Sequence, residues 1–142
     1  MDIREFVEFA KRCSGGTFAV SSVDYEWQIL DKVYSGGYQV GVRNLAQIPV
    51  RRDGRDIHDG QLFELILEAV SVFYYGNLLS PIDRDFGIWV ENEKNGDATL
   101  YIDETVWVAD HLSANIVGAV LGEKEIYDWQ NDKCLTVVKA GN

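Results

Sequence analysis

The spacing of apolar residues predicts an amphipathic helix at the start of the chain, over residues 2–13. Asp2 followed three positions later by Glu5 is typical of a capping box, and Gly15-Gly16 marks the end of the helix. Apolar residues recur here every three or four positions, at Ile3, Phe6, Phe9, Ala10 and Cys13. We therefore expect one face of this helix, with the Cys13 thiol, to be buried.

A second helix is predicted over residues 60–75, where apolar residues run nearly all the way round. Asp59 is placed to act as its N-cap, and Gly76-Asn77 is placed to end it. Its polar interruptions are few: Glu64, Glu68 and Ser71. A helix of this kind is expected to lie in the core.

Runs of β-branched and aromatic residues predict several short strands, over 17–22, 26–34, 38–43 and 135–139. The turn Ser35-Gly36-Gly37 joins the second of these strands to the third. Residues 44–58 have no such pattern, so we predict a loop there with at most a short strand near Pro49.

The clearest local signal is Asn95-Gly96, which lies between alternating runs at 86–93 and 98–102. Asn-Gly in this setting is typical of a β-hairpin, and residues 105–109 are expected to add a third strand. Beyond it, 113–121 is predicted to be a helix with Ser113 as N-cap and Gly122 as its end, followed by a helical turn at 123–129.

Strands and helices do not alternate regularly in this order, which favours an antiparallel sheet over a parallel one. The length of 142 residues is typical of one domain, and no repeat or Pro/Ser-rich linker interrupts it. We predict a single α+β domain over residues 1–142, with a mostly antiparallel sheet and helices packed on one face.

Alternation along the 86–109 meander sends its side chains to two unlike faces. One face receives only aliphatic residues: Ile88, Val90, Leu100, Ile102, Val106 and Val108. The other receives mainly aromatic and acidic residues: Trp89, Glu91, Glu93, Tyr101, Asp103, Thr105 and Trp107. The first is expected to face the core. The second is either a contact surface or a structural aromatic face covered by residues 111–129.

The distribution of charge favours the first alternative, a contact surface. Residues 85–132 carry eleven acids and two bases, a local charge of −9 in a chain of net charge −10, and they include three of the four tryptophans. An acidic face with large aromatic rings is suited to a basic protein partner. The candidate partner-binding residues are Trp89, Glu91, Glu93, Tyr101, Asp103, Trp107 and Asp110.

The same charge argues against nucleic acid, which requires a basic surface. No apolar run approaches the length of a membrane span, and the opening residues do not resemble a secretory signal. Two distant cysteines are too few for a disulfide framework, so we read Cys13 and Cys134 as reduced, structural thiols. These observations favour a cytoplasmic protein.

Motifs of catalysis or of metal binding are weak. His58-Asp59 lies close to Asp53 and Asp56 but lacks the spacing of a zinc or calcium site. Asp83-Arg84-Asp85 places a cation between two acids, which opposes metal binding. The glycines of Gly36–Gly41 lack the Lys-Ser/Thr of a phosphate loop. No metal or cofactor is predicted.

We therefore predict a small acidic protein-binding module that blocks a basic partner, such as a nuclease or toxin. In size, acidity and lack of motifs it is comparable with bacterial immunity and antitoxin-like inhibitors, although no motif carries this analogy. The alternative is a small enzyme or ligand-binding domain with a pocket between the sheet and the 60–75 helix. Self-association is a third interpretation, and the sequence leaves the oligomeric state open.

Overall fold

Antiparallel strands form one continuous sheet in a computed structural model that describes residues 1–12 and 15–139. Within those residues there are three helices: α1 (Ile3–Ala10), α2 (Asp59–Leu78) and α3 (His111–Leu121). The strands are β1 (Gly15–Val23), β2 (Glu26–Asp31), β3 (Tyr38–Arg52), β4 (Arg55–Asp56), β5 (Asp85–Asn92), β6 (Ala98–Val108), β7 (Glu125–Asp128) and β8 (Lys133–Thr136). The predicted single-domain α+β fold is confirmed.

The strand order in the sheet is β2-β1-β5-β6-β3-β7-β8, with β4 paired to β3. The predicted hairpin is present as β5 and β6, and Gly96 takes a positive φ of 90° in its turn. The strands on either side of Ser35-Gly36-Gly37 do not pair with each other. β2 pairs with β1 at one edge, whereas β3 pairs with β6, so the connecting segment must cross the sheet.

All three helices pack against the same face of the sheet. The larger core cluster joins α1 and α2 to the sheet through Phe6, Phe18, Ile66, Phe73, Phe86, Leu100 and Ile102. The smaller cluster joins α3 to the sheet through Val40, Ala114, Ile126 and Val137, with Val106 and Val108 packed against it. Even-numbered residues of β6 take part in both clusters, which places both on one side because side chains alternate along a strand. The predicted aliphatic core face is confirmed.

An ion pair separates the two core clusters. Glu104 lies on the core face of β6 between Ile102 and Val106, and its side chain is almost completely buried. Its Oε2 accepts hydrogen bonds from Arg43 Nε at 2.8 Å and from Arg84 Nη1 at 3.0 Å. Two cations on one carboxylate offset the cost of removing it from water. Strict alternation from Ile102 places Glu104 on the core side of β6, although Glu104 was not among the predicted core or site residues.

The loop predicted at 44–58 is wrong, because β3 continues from Tyr38 to Arg52. Three irregularities of register, between Gly41 and Arg43, Asn44 and Ala46, and Pro49 and Arg51, interrupt its pairing with β6. Each extra residue resets the alternation of side chains, so the strand has no simple period of two. That broken period is why its sequence resembled a loop.

Helix boundaries also differ from the predictions. The N-cap of α2 is His58, whose Nδ1 accepts from the Gly60 N–H at 3.1 Å, and Asp59 is already inside the helix. The helix continues past Gly76-Asn77 to Leu78. Asp110, not Ser113, caps α3.

Other helix ends agree with the sequence. Asp2 accepts from the Glu5 N–H at the start of α1, and Gly122 ends α3 in the left-handed conformation.

Two further predictions around the meander are wrong. Residues 105–109 are not a separate strand, since β6 runs unbroken to Val108. The helical turn predicted at 123–129 is instead strand β7, which pairs with β3 and β8. Cys13 lies outside the described residues, and Cys134 is a free, exposed thiol. No helix among the described residues has both the length and the apolarity needed to cross a bilayer.

Candidate protein-binding face

The candidate site lies on the sheet face opposite the helices, which we call the outer face. On β5 and β6 it consists of the odd-numbered residues, because Asp85 pairs with Thr105 and Trp89 pairs with Tyr101. β5 and β6 contain no lysine or arginine, whereas they contain four carboxylates. The two ends of this face are built differently.

At the end nearest the β5–β6 turn, two rings form a stacked pair. Trp89 and Tyr101 are direct cross-strand neighbours, with ring centroids 4.9 Å apart and planes 11° from parallel. Trp89 remains 41% exposed. Glu91 accepts a hydrogen bond from the Tyr101 hydroxyl, and this bond raises the pKa of that phenol above its usual value. We call Trp89, Tyr101 and Glu91 the open end of the outer face.

At the other end, the segment between β2 and β3 crosses the outer face. Tyr34 stacks on Trp107 with ring centroids 5.5 Å apart, and the indole N–H of Trp107 donates to the Gly36 carbonyl at 2.9 Å. Gly37 has a φ of +80°, and a Cβ on it would lie only 2.5 Å from the indole ring. Only glycine allows this close approach. Trp107 is therefore fixed in place although it is 42% exposed.

Beneath these rings lies a buried hydrogen-bond network. The Asp85 carboxylate accepts from the Tyr34 hydroxyl at 2.7 Å and from Gln39 Nε2 at 3.1 Å. Gln39 Nε2 also donates to Thr105 Oγ1 at 2.9 Å. Burial and the bond to Asp85 raise the pKa of Tyr34 far above its usual value. With Trp107, these residues form what we call the covered end.

Trp129 also belongs to the covered end. Its indole N–H donates to Gln39 Oε1 at 3.0 Å, and its ring meets Tyr34 edge-on at 5.4 Å. Tyr127 packs edge-on against Trp129 and donates a hydrogen bond to Asp132. Four residues of the covered end were not among the predicted site residues: Tyr34, Gln39, Asp85 and Trp129. Only the pairing of β7 with β3 brings Trp129 here, and a segment predicted as helical gave no sign of it.

The acidic candidates are not equivalent. Glu91 and Glu93 are exposed near the open end. Asp103 is only partly exposed and accepts from Asn44 Nδ2 at 2.7 Å, while its burial raises its pKa. Asp110 is exposed but caps α3, where the Ser113 backbone N–H lowers its pKa. Asp110 follows the C-terminal end of β6, whereas Glu91 pairs near the start of that strand. Asp110 therefore lies roughly 30 Å along β6 from the residue that pairs with Glu91.

The other sequence motifs are not brought together. His58 and Asp83 lie at opposite ends of α2, a helix of about 30 Å. Asp83 is exposed whereas Asp85 is buried, so the two acids of Asp83-Arg84-Asp85 do not converge. Among residues 1–12 and 15–139, no group of three or more His, Cys, Asp or Glu side chains is placed to hold a metal ion.

The space between α2 and the sheet is filled by side chains. Ile66, Val70 and Phe73 are fully buried there. Two clefts of about 310 and 300 Å³ lie at the end of α1, and both are lined by Lys11, Arg12, Val50 and Arg51. The second also reaches Asp59 and Leu62, so it opens beside the first turn of α2. Beyond that turn, the described residues beneath α2 form a packed core.

Comparison with known proteins does not extend this description. The chain matches no protein-family model, no curated protein and no solved structure. Within the candidate site, the open end of the outer face presents an exposed ring, Trp89, beside an exposed carboxylate, Glu91.

Proposed function

We propose that this chain is a small protein-binding module that occupies the surface of a basic partner through the open end of its outer face. The observation that carries the proposal is the exposed ring of Trp89, which stacks on Tyr101 beside Glu91. Inhibition of a basic enzyme or toxin, in the manner of a bacterial immunity or antitoxin protein, is the activity that such a surface serves best. We expect it to act in the cytoplasm.

The aromatic pair supplies the area for a contact. Each ring already stacks on the other across the β5–β6 ladder, so little side-chain freedom is left to lose on binding. Trp and Tyr are enriched among residues that dominate binding energy because they combine a large apolar surface with a polar tip. Such a preformed pair is suited to receive an arginine or lysine stem on its exposed ring.

The carboxylates supply the preference for a basic partner. Glu91 and Glu93 lie near the rings, and no basic residue of β5 or β6 neutralises them. The net charge of −10 adds a long-range attraction for a cationic protein. Charges at the rim of an interface mainly speed association, whereas the buried rings slow release.

The test is affinity capture from the native host with three baits: the wild type, Trp89→Ala and Tyr75→Ala. Tyr75 is the matched control, since it is an exposed aromatic residue on α2, on the opposite side of the sheet. We expect a basic protein on the wild-type and control baits and its loss from Trp89→Ala. Cross-links from this protein should map to β5 and β6. Equal retention by Trp89→Ala would overturn the proposal.

A thermal-shift screen with metals, nucleotides and metabolites provides an independent check. A clear rise in the unfolding temperature with one small molecule would favour the ligand-binding alternative, because ligands that bind only the folded state stabilise it. We expect no such rise. The captured partner should instead produce the stabilisation, and it should do so less at high salt.

A further inference from the structure

The exposed side of α3 is aliphatic along its whole length. Leu112, Ile116 and Val120 follow one another at intervals of four residues, and each exposes more than half of its surface. Residues four apart lie one above the other on a helix, so the three form a continuous ridge. Ala114 and Gly118, on the opposite side, are buried against the sheet.

The C-terminal segment extends this apolar surface. The side chain of Asn115 holds the backbone of Val138: its Nδ2 donates to the Val138 carbonyl at 2.7 Å, and its Oδ1 accepts from the Val138 N–H at 2.8 Å. Val137 is thereby buried against Gly118, while Val138 stays 71% exposed. The surface formed by Leu112, Ile116, Val120 and Val138 lies on the helix side of the sheet, opposite the outer face.

The charges around α3 indicate which partner fits this surface. Residues 111–121 contain no Asp, Glu, Lys or Arg, which sets α3 apart in a chain of net charge −10. Asp110 is exposed just before the helix, and Lys124 is exposed just after it. Two other acids lie near that second end. Glu123 is partly buried against Gly41, whereas Glu125 is exposed beside Cys134.

We propose that this surface binds a second copy of the same chain, with the two α3 helices antiparallel across a twofold axis. In that arrangement Asp110 of one protomer lies at the same end of the helix pair as Lys124 of the other. The twofold axis repeats this pairing at the opposite end. The two helix dipoles are then antiparallel, which is a favourable arrangement. Pairing through the outer face would instead bring carboxylates together. The resulting dimer leaves both open ends free.

The test is sedimentation velocity on the purified full chain from about 1 to about 100 μM, with no partner added. We expect the wild type to shift from monomer to dimer in this range. Val120→Glu should raise the dissociation constant of the dimer at least about tenfold, because a carboxylate would be buried in the apolar contact. Leu112→Glu should act in the same direction.

Val33→Glu is the matched control. Val33 is as exposed as Val120, at 84% against 80%, and it lies in the segment after β2. The variant therefore has the same net charge as Val120→Glu and should dimerise as the wild type does. Circular dichroism of each variant shows that it is folded. A wild type that stays monomeric throughout, or a control that weakens the dimer as much as Val120→Glu, would overturn the proposal.

A second pair of variants tests the charges. Lys124→Glu should weaken the dimer several-fold, since it places two carboxylates at the same end of the helix pair. Lys94→Glu makes the same change of charge at the exposed β5–β6 turn and should have little effect. Equal effects of the two variants would contradict the antiparallel arrangement.

Discussion

Trp89 and Trp107 occupy the same face of the same hairpin and are exposed to almost the same extent, 41% and 42%. Their surroundings differ. Trp107 stacks on Tyr34, donates to the Gly36 carbonyl and leaves no room for a side chain on Gly37. Among the described residues Trp89 stacks on one ring, that of Tyr101, and 41% of its surface is exposed.

Exposure alone therefore does not identify a binding residue. A half-exposed tryptophan that is fixed by a hydrogen bond and by a covering segment contributes to the stability of its own chain. One that stacks on a single neighbour leaves its free surface to a partner. We therefore expect the covered end to matter for folding and the open end to matter for binding.

The largest effect on stability is expected from Asp85→Ala. This change removes the acceptor of the Tyr34 hydroxyl and one of the two acceptors of Gln39 Nε2. Unsatisfied buried donors are costly, and we expect the free energy of unfolding to fall by about 3 kcal/mol, measured by urea denaturation. Asp85→Asn keeps one acceptor oxygen and should lose less. If Asp85→Ala is as stable as the wild type, the covered end has no structural role.

A direct comparison of the two tryptophans should separate the two ends. Trp107→Ala removes a stacking contact, a hydrogen bond and the packing against Gly37, so we expect a loss of about 2 kcal/mol. Trp89→Ala removes one cross-strand pair and should cost about 1 kcal/mol or less. Urea denaturation of both variants measures the difference. Equal losses would remove the distinction between the ends.

The stability of the protein at high pH should depend on the raised pKa of Tyr34. Its pKa is raised in the folded protein by burial and by Asp85, so the folded state holds the phenol proton more tightly than the unfolded state. This contribution is complete below the unfolded pKa of about 10, and stability then falls as the pH rises above it. Tyr34→Phe cannot lose this proton, so its stability should fall less steeply above pH 10. Parallel curves for the two proteins would contradict the assignment.

The smallest effect is expected from Glu91→Gln at the open end. The amide can still accept the hydrogen bond of Tyr101, so the fold should be unchanged. Loss of the charge should slow association with the captured partner about two- to threefold at low salt, with little change in dissociation. Surface plasmon resonance at two salt concentrations measures both rates. A slower rate that persists at high salt would point to a lost contact rather than to lost steering.

Local signals in the sequence predicted the hairpin and its two faces. Asn95-Gly96 fixed the turn, and the aliphatic residues at alternate positions fixed which side of β5 and β6 faces the core. Alternation alone therefore already placed Trp89 and Tyr101 on one face. The open end was thus predictable from a stretch of about twenty residues.

The covered end was not predictable in the same way. It brings Tyr34 to Asp85 across fifty-one residues and Gln39 to Trp129 across ninety. Such contacts depend on the strand order, which separates β2 from β3 by three strands. The turn at 35–37 suggested a hairpin instead. The bulges of β3 explain why most of that strand was predicted as a loop. Each bulge breaks the period of two from which a strand is predicted.

The most direct test is the dissociation constant of the captured basic partner for the wild type, Trp89→Ala and Tyr75→Ala, with the unfolding free energies of all three shown to be similar. We predict at least about tenfold weaker binding for Trp89→Ala and an unchanged constant for Tyr75→Ala. Wild-type affinity in a folded Trp89→Ala variant would show that the open end is not the contact surface.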